Sequence, residues 1–194
     1  MDTTATGSRR IWTVGHSNRP LALFLDLLAE HRIDALFDVR RHPRSRRHPH
    51  FTAERLWRAL SERGCTYRHL PVFGGRRRTA SAPADSPNGA LAEAGFRAYA
   101  DHALTPPFRT ALAELVAACA CMRIALLCAE ADPARCHRSI LADHLLARGV
   151  AVVHILAPGR SAPARLHPRA RIRPDGAVIY PPAQGDMFLC SDRR

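Results

Sequence analysis

The sequence has no long hydrophobic run and no apolar leader. No stretch approaches the length of uninterrupted apolar residues that a membrane-spanning helix needs. The amino end, residues 1–10, is short and polar and lacks the apolar middle of a signal peptide. We therefore expect no membrane insertion, no export and a cytoplasmic location.

Cysteine is present, but its spacing is not that of a disulfide framework in a small secreted domain. The six cysteines of the 194-residue chain are Cys65, Cys119, Cys121, Cys128, Cys136 and Cys190. Without an export signal, a reducing compartment is the better expectation. The cysteines are then predicted to be free thiols or ligands.

Acidic residues are scarce relative to basic ones. Twenty-nine basic residues face seventeen acidic ones, which gives a formal net charge of +12. A coding bias toward arginine explains the choice of arginine over lysine, but it does not explain the excess of positive charge. A domain this basic attracts polyanions, so nucleic acid is the expected partner. The alternative is a basic surface without a specific partner.

Length and hydrophobic content indicate one globular domain. The chain is long enough for one substantial core, and its 46% of hydrophobic residues is ordinary for a folded protein. We predict a single α/β domain over residues 11–180, between flexible ends at 1–10 and 181–194.

Apolar segments of strand length alternate with segments of helical periodicity. The predicted strands are 11–15, 35–39, 66–70, 123–128 and 150–156. This alternation predicts βαβ units, and so a mostly parallel, Rossmann-like sheet of about five strands flanked by helices. Asp132 and Pro133 have the residue types that begin a helix. Pro174-Asp-Gly176 predicts a hairpin near the carboxyl end.

In such sheets ligands bind beyond the carboxyl ends of the strands. The segments that leave the predicted strands carry His16, then 40–47, then 74–78, then 128–138. Most of the polar chemistry therefore falls on one edge. We expect these segments to share one pocket.

Residues 128–138 form the densest cluster of reactive groups. Cys136 and His137 are predicted in the first turn of a helix, facing the sheet. The free N–H groups at that helix end, together with Arg138, would make an anion site and lower the pKa of a thiol.

Two chemistries of this segment depend on its cysteines. Cys128 or Cys136 could be a nucleophile, as in phosphatases and sulfur transferases, although the charge of Glu130 would repel phosphate. We predict no cofactor. The alternative is a zinc ion held by Cys128, Cys136 and His137. The spacing of these residues is not that of a standard zinc motif, which argues against this alternative.

A third chemistry is acid/base catalysis. Glu130, beside His16 or His137, could activate water or protonate a leaving group, and Asp38 offers a second carboxylate. The cysteines would then only pack in the core.

Arginine forks match phosphate geometry, and several arginines lie on the predicted edge. The candidate phosphate-binding residues are Arg40, Arg44, Arg46, Arg47, Arg76 and Arg138. For Arg40 the alternative is an internal salt bridge with Asp38, which would order the end of the strand.

The tail carries Gln184-Gly-Asp-Met-Phe188. This peptide resembles the short glutamine-led segment by which bacterial replication and repair proteins hold the sliding clamp. Gln184 would lead the motif, and Met187 and Phe188 would fill an apolar groove. The sliding clamp is therefore a candidate partner.

Four segments together resemble the prokaryotic family catalogued as domain of unknown function 488. They are Thr13–Ser17, Asp38–Arg40 with Pro43 and Ser45, Tyr67–Gly75, and Cys128–Glu130 with Cys136–Arg138. The resemblance covers roughly residues 11–156 and implies an α/β fold. It supplies no mechanism.

From these observations we expect an enzyme acting on DNA or a nucleotide, by hydrolysis or glycosidic cleavage, in repair or base processing. One alternative is a non-catalytic DNA-binding module recruited to the sliding clamp. The other is a cysteine-dependent enzyme.

Overall fold

The computed structural model describes residues 9–44, 47–75 and 85–182, and its centre is a six-stranded sheet. The strands are β1 (Arg10–Gly15), β2 (Ala35–Asp38), β3 (Thr66–His69), β4 (Ile124–Cys128), β5 (Ala151–Ala157) and β6 (Arg160–Pro163). Their order is β3-β2-β4-β1-β5-β6. Strands β1 to β5 run parallel, and β6 is antiparallel to β5.

Five α-helices connect or follow these strands in the described residues. They are α1 (Leu21–Glu30), α2 (Ala53–Ser61), α3 (Ala94–Ala103), α4 (Pro106–Ala118) and α5 (Arg138–Leu146). A two-stranded hairpin, β7 (Arg171–Ile172) and β8 (Val178–Ile179), lies near the carboxyl end. Within the described parts of the chain, no helix has the length and apolarity needed to cross a membrane.

The sheet is covered on both faces because its strands alternate their side chains between two cores. Along β1, Trp12 and Val14 join one core with helices α1 and α2, whereas Ile11 joins the other. The second core contains α3, α4, α5 and Tyr180 from the end of the hairpin. The central strand β4 is buried along its whole length. The result is a three-layer α/β/α arrangement.

The predicted fold class is confirmed: the protein is α/β with a mostly parallel sheet and a carboxyl-terminal hairpin. The sixth strand was not predicted. It follows a turn at Gly159, whose φ is +63°, and its sequence Arg160–Pro163 has no apolar alternation. An edge strand pairs on one side only, so its residue types are weakly constrained.

The predicted start of the helix after β4 is wrong. Asp132 does act as a cap, since its Oδ1 accepts a bond from the Ala134 N–H at 2.9 Å, but it caps only the 3₁₀ turn Pro133–Arg135. Cys136 then takes extended backbone angles, φ −134° and ψ 142°, and α5 begins at Arg138. The extended residue redirects the chain before the helix.

Candidate functional site

A cleft of about 750 Å³ lies at the carboxyl ends of β1, β2 and β4. Strand β4 lies between β1 and β2, so the loops that follow the three strands leave the sheet side by side. Backbone bonds continue beyond the strands: His16 N–H donates to the Cys128 carbonyl at 2.9 Å, and Val39 N–H donates to the Leu127 carbonyl at 3.0 Å. The predicted shared pocket therefore exists.

Glycine at position 15 permits this close approach of β1 to the loop after β4. A Cβ atom at Gly15 would lie 1.8 Å from the backbone oxygen of Glu130, far inside contact distance. Because the obstacle is backbone, no side-chain rotation could relieve it. Gly15 is thus required for the two loops to lie together.

Most of the predicted site residues reach the cleft, and some do not. Those that line it are His16, Arg40, Arg44, Arg47, Cys128, Glu130, Cys136 and His137. Asp38 and Arg138 are buried behind the lining, with exposures of 0% and 1%. The remaining predicted residues, which lie outside the described part of the chain, are Arg46, Arg76, Gln184, Met187 and Phe188.

Asp38 and Arg40 form a buried ion pair. The Asp38 carboxylate accepts bonds from Arg40 Nε at 2.9 Å and from the Arg40 backbone N–H at 3.0 Å, and the Tyr67 hydroxyl donates to it at 2.8 Å. Arg40 Nη1 also donates to the Phe51 carbonyl at 2.8 Å. This is the internal salt bridge that the sequence left open. It anchors the loop after β2 to the 3₁₀ turn at Phe51.

His16 is held from both sides of its ring. Nδ1 lies 2.8 Å from the Ser17 carbonyl oxygen, which can only accept, so Nδ1 carries the proton. Nε2 therefore accepts from Arg40 Nη1, at 3.3 Å. Burial, reinforced by the Arg40 guanidinium, lowers the pKa of His16 to about 4. The ring is neutral at neutral pH and forms part of the cleft wall, stacked on Phe51 with ring centres 4.4 Å apart.

Two thiols and an imidazole meet at the floor of the cleft. His137 Nδ1 lies 3.7 Å from Cys136 Sγ and 3.9 Å from Cys128 Sγ. All three atoms lie within 4.8 Å of one another, and we call this group the thiol–imidazole cluster. The prediction that Cys136 lies in the first turn of a helix is wrong, because Cys136 precedes α5 in extended conformation.

The thiol–imidazole cluster contains one acidic thiol. A hydrogen bond from Cys128, together with His137 and the Arg138 guanidinium, lowers the pKa of Cys136 well below that of an ordinary thiol despite its burial. The same bond and burial raise the pKa of Cys128. At neutral pH the arrangement favours a thiolate at Cys136 and a thiol at Cys128.

Arg138 points into the fold instead of into the cleft. Its Nε donates to Cys136 Sγ at 3.3 Å, and its Nη2 donates to the Glu130 backbone oxygen. Nη1 lies 3.5 Å from the Thr13 hydroxyl of β1. Arg138 therefore joins the cluster to the loop after β4 and to the sheet.

One wall of the cleft comes from residues that the sequence reasoning missed. Glu93, Phe96 and Tyr99, which lie in or just before α3, line it. The Tyr99 ring lies 4.9 Å from the His137 ring, and its hydroxyl donates to the Phe73 carbonyl at 2.9 Å. No local pattern marks these residues, because α3 reaches the cleft only by packing against α5.

A known protein family matches most of the segments that form this cleft. The model of the family described as Domain of unknown function DUF488 matches residues 20–145, more than half of the chain. The chain belongs to the DUF488 family. The range matched to DUF488 contains the Asp38–Arg40 pair, Glu130 and the thiol–imidazole cluster, whereas His16 precedes it. Searches of curated proteins and of solved structures found no match to this DUF488 chain.

Proposed function

We propose that this DUF488 protein binds a nucleotide or a nucleic acid in the cleft and cleaves it, by hydrolysis or at the glycosidic bond. The observation that supports the proposal best is the charge of the cleft. Among the described residues, its lining contains four exposed arginines, Arg41, Arg44, Arg47 and Arg135. On a protein with a net charge of +12, this cleft is a strong attractor for phosphate.

The cleft offers the two kinds of contact that a nucleotide needs. Guanidinium forks bind phosphate oxygens in pairs, which favours arginine over other cations. Phe96, half-buried in the lining, provides a ring on which a base can stack. Phosphate contacts would hold the substrate, and the aromatic contact would place its base.

Glu130 is the best candidate for the general acid or base in this cleft. Asp38 is saturated by Arg40 and Tyr67, and both ring nitrogens of His16 are engaged. Glu130 is exposed and lines the cleft directly after β4. Glu93 is a second exposed carboxylate of the lining, so it takes the place that the sequence suggested for Asp38. With two carboxylates, one can activate a water molecule as general base while the other protonates the leaving group as general acid.

The test is a turnover screen with nucleotides and with oligonucleotides that carry uracil, oxidised and alkylated bases. On whichever probe is cleaved, Glu130→Gln is expected to lower kcat by about 10²- to 10⁴-fold, the usual range for loss of a general acid or base. Binding of that probe is expected to stay within about twofold, because glutamine preserves the shape of the side chain.

Glu62→Gln is the matched control. Glu62 is exposed at the end of α2, which leads to the opposite edge of the sheet, so the same chemical change there should leave kcat unchanged. The proposal is wrong if the protein binds no nucleotide or oligonucleotide at low salt. It is also wrong if Glu130→Gln and the control retain the same kcat.

A further inference from the structure

We propose that the thiol–imidazole cluster is a binding site for a thiophilic divalent cation of the zinc class, with Cys128 Sγ, Cys136 Sγ and His137 Nδ1 as ligands. Two thiolates and one imidazole are a common ligand set for zinc in proteins. The proposal goes beyond the proposed function, because metal binding can be measured without any substrate.

The two sulfur–nitrogen distances within the cluster are close to those around a tetrahedral metal. Zinc–sulfur bonds of about 2.3 Å and zinc–nitrogen bonds of about 2.0 Å at a tetrahedral angle place sulfur and nitrogen about 3.5 Å apart. His137 Nδ1 lies 3.7 Å from Cys136 Sγ and 3.9 Å from Cys128 Sγ. Both sulfur–nitrogen distances are thus within a few tenths of an ångström of the value that a shared ion requires, and all three ligand atoms lie within 4.8 Å of one another.

The backbone explains how residues 136 and 137 can both be ligands although they are neighbours. Cys136 is extended, with φ −134°, whereas His137 is already in helical conformation, with φ −53°. The change of conformation between them turns both side chains toward Cys128 at the end of β4. Ligands from two separate segments thus converge, although their spacing in the sequence is not that of a standard zinc motif.

The surroundings suit a metal thiolate. Arg138 Nε donates to Cys136 Sγ at 3.3 Å, and an N–H donor to sulfur stabilises a coordinated thiolate. At Gly75 a Cβ atom would lie 2.5 Å from His137 Nδ1, so the glycine leaves space beside the ligating nitrogen. A donor to the thiolate and a residue without a side chain beside the imidazole are both compatible with a bound ion.

The cluster supplies three ligands, which is the number found in catalytic zinc sites. All three residues line the cleft, so the fourth coordination position would open onto it. A water molecule or a substrate atom could occupy that position, in the same cleft as Glu130. The structure therefore points to a metal that is accessible from the substrate side.

Cobalt(II) is the probe for this site, added to the reduced, metal-free full-length protein. We expect one equivalent to bind with thiolate-to-cobalt charge-transfer absorption and the visible bands of tetrahedral cobalt, and zinc to displace it. Cys128→Ser, Cys136→Ser and His137→Gln should each weaken binding by more than about tenfold. Cys65→Ser is the control, because Cys65 is buried in the other core, beside the start of β3.

X-ray absorption on the unmodified zinc-loaded protein gives the ligand count without any variant that could misfold. Two sulfur ligands and one imidazole are expected. The proposal is overturned if the reduced protein binds no cobalt or zinc, if no sulfur is found at the metal, or if binding is equal in all variants. The proposal is also overturned if the purified protein contains a Cys128–Cys136 disulfide and still binds no metal once that disulfide has been reduced.

Discussion

Asp38 and Arg40, at the end of β2, are charged residues whose burial gives them a structural role. The sequence allowed a catalytic role for Asp38 and phosphate binding for Arg40, or an internal salt bridge between them. Both are almost completely buried, at 0% and 6% exposure. Removing one partner of a buried pair leaves the other as an uncompensated charge in a poorly solvated place. Their role is therefore measurable as stability.

Arg40→Leu is expected to lower the free energy of unfolding by about 3–5 kcal/mol, because it strands the Asp38 carboxylate. Arg58→Leu, which breaks the exposed pair Arg58–Glu54, should cost less than about 1 kcal/mol. Urea unfolding of both variants checks the difference. Equal losses of stability would show that the buried pair contributes no more to the free energy of unfolding than the exposed pair does.

Gly15 is the other single residue on which the site depends. Gly15→Ala would drive a Cβ atom into the Glu130 backbone oxygen, so we expect a loss of several kcal/mol, in the upper range for single substitutions. In Gly95→Ala the new Cβ would have no neighbour within 4 Å, and alanine favours the helix α3. Thermal unfolding should show a large decrease in Tm for the first variant and none for the second.

At the scale of an element, helix α5 combines structural and site roles. Cys136 and His137 of the cluster directly precede its amino end, whereas its carboxyl half is buried in the core, where His144 is 1% exposed and packs against Phe108. Burial, together with the charges of Arg148 and Arg109, lowers the pKa of His144 from 6.5 to about 4. The folded protein therefore resists protonation at this position.

This shift predicts acid sensitivity with a definite sign. Between pH 6.5 and pH 4 the unfolded chain binds a proton at His144 that the folded chain does not, so stability is complete above pH 6.5 and falls as the pH drops through this window. His144→Leu should remove on the order of 3 kcal/mol of that loss. Urea unfolding at several pH values measures the slope. A slope unchanged in the variant would contradict the assignment.

The hairpin is tied to α5 by a second buried contact. The Tyr180 hydroxyl, at the end of β8, donates to Asp143 Oδ2 at 2.7 Å, and the His167 N–H donates to Asp143 Oδ1 at 3.1 Å. The carboxyl-terminal hairpin thus supports the helix that directly follows Cys136 and His137.

At the scale of the whole molecule, the excess of positive charge makes a prediction of its own. Binding of a short single-stranded oligonucleotide should weaken steeply with salt, because phosphate contacts release counterions. Replacing Arg44 and Arg47 with glutamine should reduce the slope of log K against log salt by about 1.4, since each lost contact with a single strand contributes about 0.7.

A control with the same loss of charge distinguishes binding in the cleft from attraction by the positive charge of the whole protein. Arg32 and Arg63 are exposed and lie after α1 and α2, toward the opposite edge of the sheet. Replacing both with glutamine should leave the slope nearly unchanged. Equal effects of the two double variants would show that binding is a property of the whole surface and that the cleft has no special part in it.

The alternation of apolar strands with helical segments was sufficient to predict the fold class and the edge that bears the polar residues. Both follow from local periodicity and from the geometry of parallel strands, which brings the loops after His16, Arg40 and Cys128 to one side. The conversion of Cys136 to an extended residue was not predictable from local pattern, since Asp132 and Pro133 begin helices and 3₁₀ turns alike.

Local periodicity was enough to predict a central parallel sheet between helices and the edge at which the polar residues gather. It could not show that Asp38 and Arg138 are buried, that Glu93 and Tyr99 line the cleft, or that two thiols and an imidazole meet at its floor. The burial of a charge and the meeting of side chains depend on which elements pack together, and residues far apart in the chain set that packing.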